Sequence, residues 1–114
     1  ELLETESLIE TFGVSTKPMW RSPYGTGPAD KGEVLWNAAE VGFWQHIYWT
    51  LDSGDWQNIS ADDVEARVLY WTDKGYIVVH HCNSKQTAER LGNIIDRLGK
   101  EKELSVTTVS ALLR

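Results

Sequence analysis

Three consecutive residues, His80, His81 and Cys82, place two imidazoles beside the chain's single thiol. Imidazole and thiolate are the side chains that ligate zinc and carry nucleophilic catalysis. In an extended segment neighbouring side chains face opposite ways, so His80 and Cys82 would share one face and His81 would take the other. A third metal ligand would have to come from His46 on a separate element, and no Cys-x-x-Cys pair accompanies the trio. Cys82 also stands just ahead of a helix start, an address at which a thiol can be activated. The same features describe a small thiol and two imidazoles closing the end of a sheet. That reading is preferred, and no catalytic residue, metal ligand or cofactor is assigned.

A second stretch, "YGTGPADKG" (24–32), invites a phosphate reading. A phosphate loop needs its glycines followed by Lys and then Ser or Thr at a helix start. Here Gly32 and Glu33 follow Lys31, and Glu33 would set a carboxylate where the anion belongs. The dinucleotide fingerprint fails as well, because no strand feeds a third glycine.

These residues need elements to position them. Residues 1–12 read as a helix with Leu2, Leu3, Leu8, Ile9 and Phe12 apolar and Gly13 just past its end. Residues 13–32 carry Pro18, Pro23 and Pro28, which disfavour helix in the residues before them, and read as a long loop. Over 33–51 the i, i+3, i+4 spacing of Leu35, Ala38, Ala39, Gly42, Phe43, His46, Ile47 and Leu51 predicts the longest helix, apolar on its other faces too. "DSGDW" (52–56) stops it. Residues 60–75 are read as a helix, with Ser60 as N-cap, Val64, Val68 and Trp71 on one face and Gly75 at the close. A hairpin over 64–81 is the alternative. Residues 76–82 read as a strand, and 84–99 as a helix with an Asn83–Gln86 capping box and Ala88, Leu91, Ile95 and Leu98 on one face. Residues 104–113 lean to strand, so 76–110 has the length of a β-α-β crossover. The expected fold class is α+β: one small domain over 1–114, N-terminal helices on a small sheet, and a C-terminal β-α-β-like unit. Lacking an initiator Met, the chain is expected to be trimmed or cut from a longer one.

Composition narrows the function. Apolar residues make up 41% and charged residues 25% of 114, and the net charge is −6. Residues 1–57 hold nine acids (Glu1, Glu4, Glu6, Glu10, Asp30, Glu33, Glu40, Asp52, Asp55) against three bases (Lys17, Arg21, Lys31). Such a half repels phosphates at long range. No apolar run reaches the length of a membrane span, and one cysteine cannot form an internal disulfide, so a cytoplasmic protein is expected. Six Trp is a surplus, and Trp suits cores, interfaces and stacking platforms.

"VLYWTDKGYIVV" (68–79) looks like the helix end and first wing strand of winged-helix domains. That resemblance implies a preceding helix that reads a nucleic-acid groove, with Asp62, Asp63, Glu65, Arg67 and Asp73 as its exposed positions. "IVVHHCNSKQTAERLGNIIDRL" (77–98) resembles the strand–helix element that opens the second lobe of superfamily 2 helicases. On balance the residues favour a non-enzymatic recognition domain that binds a protein partner through Trp20, Arg21, Tyr24 and Trp36. The alternative is a winged-helix-like or accessory nucleic-acid-binding domain, with Lys85 and Arg90 on phosphates. An enzyme using Cys82 with His80 or His46 ranks last.

Overall fold

A computed structural model describes residues 1–26 and 32–114. The chain divides into two compact units, Glu1–Tyr48 and Trp49–Arg114. Its described residues mix five α-helices with two two-stranded parallel sheets. No helix among them is long and apolar enough to cross a membrane.

In the first unit, α1 (Leu2–Glu10) is shorter than the 1–12 reading. Its fully buried residue is an acid, Glu6, while Leu3, Leu8 and Phe12 are exposed. The Glu6 carboxylate accepts from the Ser15 hydroxyl and from Thr16 N and Oγ1, at 3.2 and 2.6 Å from the last two. These bonds hold its carboxyl below the usual value and tie α1 to the segment that leads into β1 (Met19–Trp20). β1 pairs in parallel with β2 (Gln45–His46), Met19 opposite Gln45 and Trp20 opposite His46.

The helix expected over 33–51 is corrected. α2 spans only Glu33–Glu40. Gly42 takes φ +94°, a left-handed conformation that ends a helix cheaply only at glycine. Gly42 N–H donates to Ala39 O and Phe43 N–H reaches back to Ala38 O at 2.9 Å, the pair of bonds that closes a Schellman motif. Phe43 and Ala38 are both buried, and with Trp20 they form this unit's core, flanked by Leu2, Val34, Leu35 and Val41. The apolar period runs on past residue 42, but it is consumed by a turn and by β2.

In the second unit, β3 (Leu51–Asp52) pairs in parallel with β4 (Val78–Val79), Leu51 opposite Val78 and Asp52 opposite Val79. Between them lies α3 (Ala61–Trp71). The helical reading of 60–75 holds and the hairpin does not. Ser60 Oγ accepts from Asp63 N at 3.0 Å and the Asp63 carboxylate accepts from Ser60 N, so the cap is reciprocal. Val64 and Val68 are buried, but Trp71 is exposed and stacks edge-on against Tyr70. Ser60→Ala is expected to lower stability by about 1 kcal/mol, measured by urea unfolding.

α4 (Lys85–Lys102) extends past the expected end and is capped by Ser84, whose hydroxyl accepts from Thr87 N, rather than by Asn83. Ile94 and Leu98 pack on Val68 of α3, with Leu69, Val78 and Leu104 around them. Glu65 is buried at this junction and accepts from Arg97 and Asn93 at 2.6 and 2.7 Å. The β-α-β expectation is corrected in its last element. Residues 103–108 form no strand, and Thr108 caps a short helix, α5 (Val109–Leu112). Threonine and valine favour strands only where a neighbouring strand takes up their hydrogen bonds. An apolar groove of about 600 Å³ runs between α4, β4 and this C-terminal segment.

Candidate functional site

The chain leaves β3 through "DSGDW". Asp52 Oδ1 accepts from Gly54 N at 2.8 Å, an Asx-type turn, and Gly54 at φ +74° lets the backbone double back. The turn delivers Asp55 beneath the end of β4, where its side chain is 0% exposed. A buried carboxylate is tolerated only when donors saturate it. Three do so here. His81 donates its backbone N–H to Oδ2 at 2.8 Å and its Nδ1 lies 2.7 Å from Oδ1. The Thr87 hydroxyl donates to Oδ2 at 2.5 Å. Thr87 is placed by the first turn of α4, whose cap residue Ser84 also donates to the Asp55 carbonyl at 3.2 Å.

His80 joins this cluster through Thr87, with Nδ1 at 2.9 Å from Thr87 Oγ1 and 3.8 Å from Asp55 Oδ2. Proton accounting fixes the direction. The single hydroxyl hydrogen of Thr87 goes to the carboxylate, so Thr87 Oγ1 must accept from His80. Neutral His80 is therefore the Nδ1–H tautomer, and its Nε2 carries the lone pair.

The electrostatics follow from these contacts. Burial pushes the Asp55 carboxyl up, but the His81 N–H, the Thr87 hydroxyl and the His81 ring outweigh it and bring the carboxyl down to about 2. Burial pulls His80 below the usual imidazole value. The Asp55 and Asp52 charges oppose that shift, and the His81 charge adds to it. At neutral pH the site thus holds an ionised carboxylate bonded directly to the open His81 ring, beside a mostly buried, unprotonated His80.

The residues singled out in the sequence fall elsewhere. Trp20 is a core residue, stacked edge-on at 4.8 Å on His46. Arg21 Nε donates to Ile47 O at 2.9 Å. Tyr24 is almost wholly exposed at φ +56°, and Trp36 is exposed on α2. Lys85 lies on α4 at 3.7 Å from Glu89, and Arg90 pairs with Asp62 and Glu65. Asp30 and Lys31 of the phosphate-loop reading lie outside the described residues.

His46 belongs to the first unit, where its Nε2 is 3.1 Å from Ser22 Oγ, whereas His80 and Cys82 belong to the second. Cys82 is an exposed free thiol. Among the described residues no three His, Cys, Asp or Glu converge as metal ligands. Asp55 and Thr87 were not picked out by sequence reasoning. The available signal was the Asp-Ser-Gly-Asp turn at 52–55, next to a strand that pairs with the strand leading into the histidines.

No family model matches the chain. It is similar to the uncharacterized protein YlxY of Bacillus subtilis strain 168, at 32% identity over 108 residues, covering 95% of this chain and 32% of that protein. Among solved structures, it matches a mutant of BA3943 from Bacillus anthracis, a CE4 family pseudoenzyme with restored enzymatic activity. That match has 29% identity and a TM-score of 0.83, over 99% of this chain and 39% of the other. It shares the fold of a family 4 carbohydrate esterase from Streptomyces lividans, solved with acetate, at a TM-score of 0.78 and 24% identity, over 96% of this chain and 54% of the other. The chain thus spans about a third of its curated relative and roughly two fifths to half of these structures.

These likenesses overturn both functional expectations, the protein-binding recognition domain and the winged-helix-like nucleic-acid-binding domain. Over nearly the whole chain the fold is that of these two structures and of the peptidoglycan deacetylase PdaC from Bacillus subtilis, the last at a TM-score of 0.79 and 23% identity. The geometry agrees. A wing is an antiparallel hairpin, whereas β4 pairs in parallel with β3. The long helix with two apolar faces, which motivated a partner surface, is in fact α2, a turn and β2.

Proposed function

We propose that this chain is part of a carbohydrate-deacetylase-like domain in which His81 moves the proton during removal of an acetyl group. The observation that carries the reading is the 2.7 Å contact of His81 Nδ1 with the buried Asp55 carboxylate, made by a ring that is 44% exposed. It holds one tautomer and stabilises the imidazolium once Nε2 is protonated. The likeness to BA3943 and to the Streptomyces esterase supports the substrate class.

In the proposed step, His81 Nε2 takes a proton from water as the water oxygen bonds to the acetyl carbon. When the tetrahedral adduct collapses, the bond from that carbon to the sugar oxygen or nitrogen breaks. His81 Nε2 then gives the proton to the leaving atom, and acetate and the deacetylated sugar are released. Trp56 follows Asp55 directly and is exposed, with its Nε1 held 3.2 Å from the Asp52 carboxylate. It offers a sugar ring an apolar face beside the site.

Acetate release from N-acetylated and O-acetylated oligosaccharides tests this in the full-length protein that carries the chain. His81→Ala is expected to lower the rate by about 10²–10⁴-fold. Equal rates in both proteins would reject His81 as the proton carrier. No release from any acetylated sugar would instead favour a pseudoenzyme, as wild-type BA3943 is.

A further inference from the structure

The first unit carries its own histidine. β1 and β2 bond as a parallel ladder, with Gln45 N–H to Pro18 O at 3.0 Å and Ile47 N–H to Trp20 O at 2.8 Å. Evenly spaced rungs would next take Ser22 N–H to Ile47 O. Two side chains replace that rung. Arg21 Nε donates to Ile47 O at 2.9 Å, and Ser22 N–H donates to His46 Nε2 at 3.3 Å. Ser22 Oγ lies 3.1 Å from the same nitrogen. Ser22 is 3% exposed, so water does not stand in for a lost partner. Beyond it the chain turns through Pro23–Gly25, where Tyr24 holds φ +56°, a conformation that residues other than glycine seldom adopt. The far end of this turn is held by the Tyr48 hydroxyl, which donates to Gly25 O at 3.3 Å.

We propose that His46 is an acid-sensitive clasp: its neutral ring ties Ser22 to β2 and fixes the Ser22–Gly25 turn, and its protonation frees that turn. A backbone amide can only donate, so Nε2 must carry the lone pair and neutral His46 is the Nδ1–H tautomer. A proton added at Nε2 turns the acceptor into a second donor facing the amide. The Ser22 hydroxyl can rotate to accept from the ring, but the amide is left buried and unpaired, the costly state for such a group. The ring's surroundings act in the same direction. Trp20 of β1 stacks edge-on at 4.8 Å, and the Tyr48 ring lies at 6.0 Å. Among the described residues the charge that reaches His46 is the Arg21 guanidinium. Burial first, and then that charge, hold His46 below the usual imidazole value. The folded ring therefore takes up its proton at a lower pH than the same ring in the unfolded chain. The clasp is closed above the unfolded value and opens as pH falls through the folded one.

The test is a nitrogen-resolved NMR titration of the full-length protein. At neutral pH His46 Nε2 should give the signal of an unprotonated nitrogen. As His46 titrates, exchange of the Ser22 amide, corrected for its intrinsic pH dependence, is expected to quicken by about tenfold, the scale of one lost buried hydrogen bond. The two changes should share a midpoint. The Ile47 amide, bonded to Trp20 O within the ladder, should stay protected. In His46→Gln the side-chain oxygen can accept from Ser22 N–H without titrating, so the step should vanish. In Ser22→Ala the backbone amide and the ring both remain, so the step should persist. An Nε2–H tautomer at neutral pH, or a Ser22 amide whose exchange does not follow His46 in the wild type, overturns the proposal. So does a step that survives His46→Gln or is lost in Ser22→Ala. The wild-type titration depends on no variant folding and decides by itself. Acetate release enters none of these readouts, so the clasp stands or falls apart from the deacetylase reading.

Discussion

Asp55→Ala is expected to destabilise the protein by about 3–5 kcal/mol, the range for removing one partner of a buried charged network. The side chain is fully buried and accepts from the His81 N–H, the His81 ring and the Thr87 hydroxyl. Truncation strands all three donors, and each unpaired buried donor carries a desolvation penalty of its own. Urea unfolding of the full-length protein measures the loss. Asp55→Asn should lose less, since the amide oxygen still accepts from one side while its NH₂ confronts a donor on the other. A loss under about 1 kcal/mol for Asp55→Ala, the range of an exposed pair, would show that the carboxylate does not organise the site.

The same residue contributes to the acid limit of the second unit, beside Glu65 and Glu101, whose carboxyls are also held below their usual value. The Asp55 carboxyl is lowered from 3.8 to about 2, so the unfolded chain binds a proton where the folded chain does not. Stability then rises with pH through that window. The contribution is complete above the unfolded value and is lost as pH falls toward 2. Asp55→Asn should flatten this acid limb, which pH-dependent unfolding would resolve.

Ile94→Ala is expected to destabilise by about 3 kcal/mol through a cavity in the α3–α4 core, whereas Ile95→Ala should cost less than about 1 kcal/mol. Ile94 is 2% exposed between Val68 and Leu98, while Ile95 is 41% exposed on the groove side of α4. The pair separates burial from residue type, because both positions hold isoleucine on one helix. The effect extends to the site, since the same helix presents Ser84 and Thr87 to Asp55. Far-UV circular dichroism through urea titration measures both variants. Equal losses would mean that α4 does not pack on α3 by the Ile94 face.

Much of this was legible from local chemistry. Ser60 with Asp63 marks a helix start by side-chain bonds to backbone amides three residues apart, and the cap is found there. The 3.6-residue period of 84–99 marks α4, yet of the face drawn through Ala88, Leu91, Ile95 and Leu98 it is Leu98 that is buried, together with Ile94 from alongside, while Leu91 and Ile95 are half exposed. Neighbouring faces of an amphipathic helix differ little in sequence, and the partner helix decides between them. The same holds at α1, where acids filling the outer face would be the ordinary reading and Glu6 instead turns inward to Ser15 and Thr16.

By itself, the sequence determined helix starts, the strand ahead of His80 and the presence of chemically capable side chains. These depend on contacts within a few residues, which composition and spacing encode. Tertiary structure alone decided that Gly42 ends α2, that β4 pairs in parallel with β3, and that Asp55 meets His81 and Thr87 across 26 and 32 residues of chain. A carboxylate becomes part of an acid–base site only when folding removes its water and replaces it with fixed donors. Those donors come from a strand end and a helix start whose approach no local pattern records.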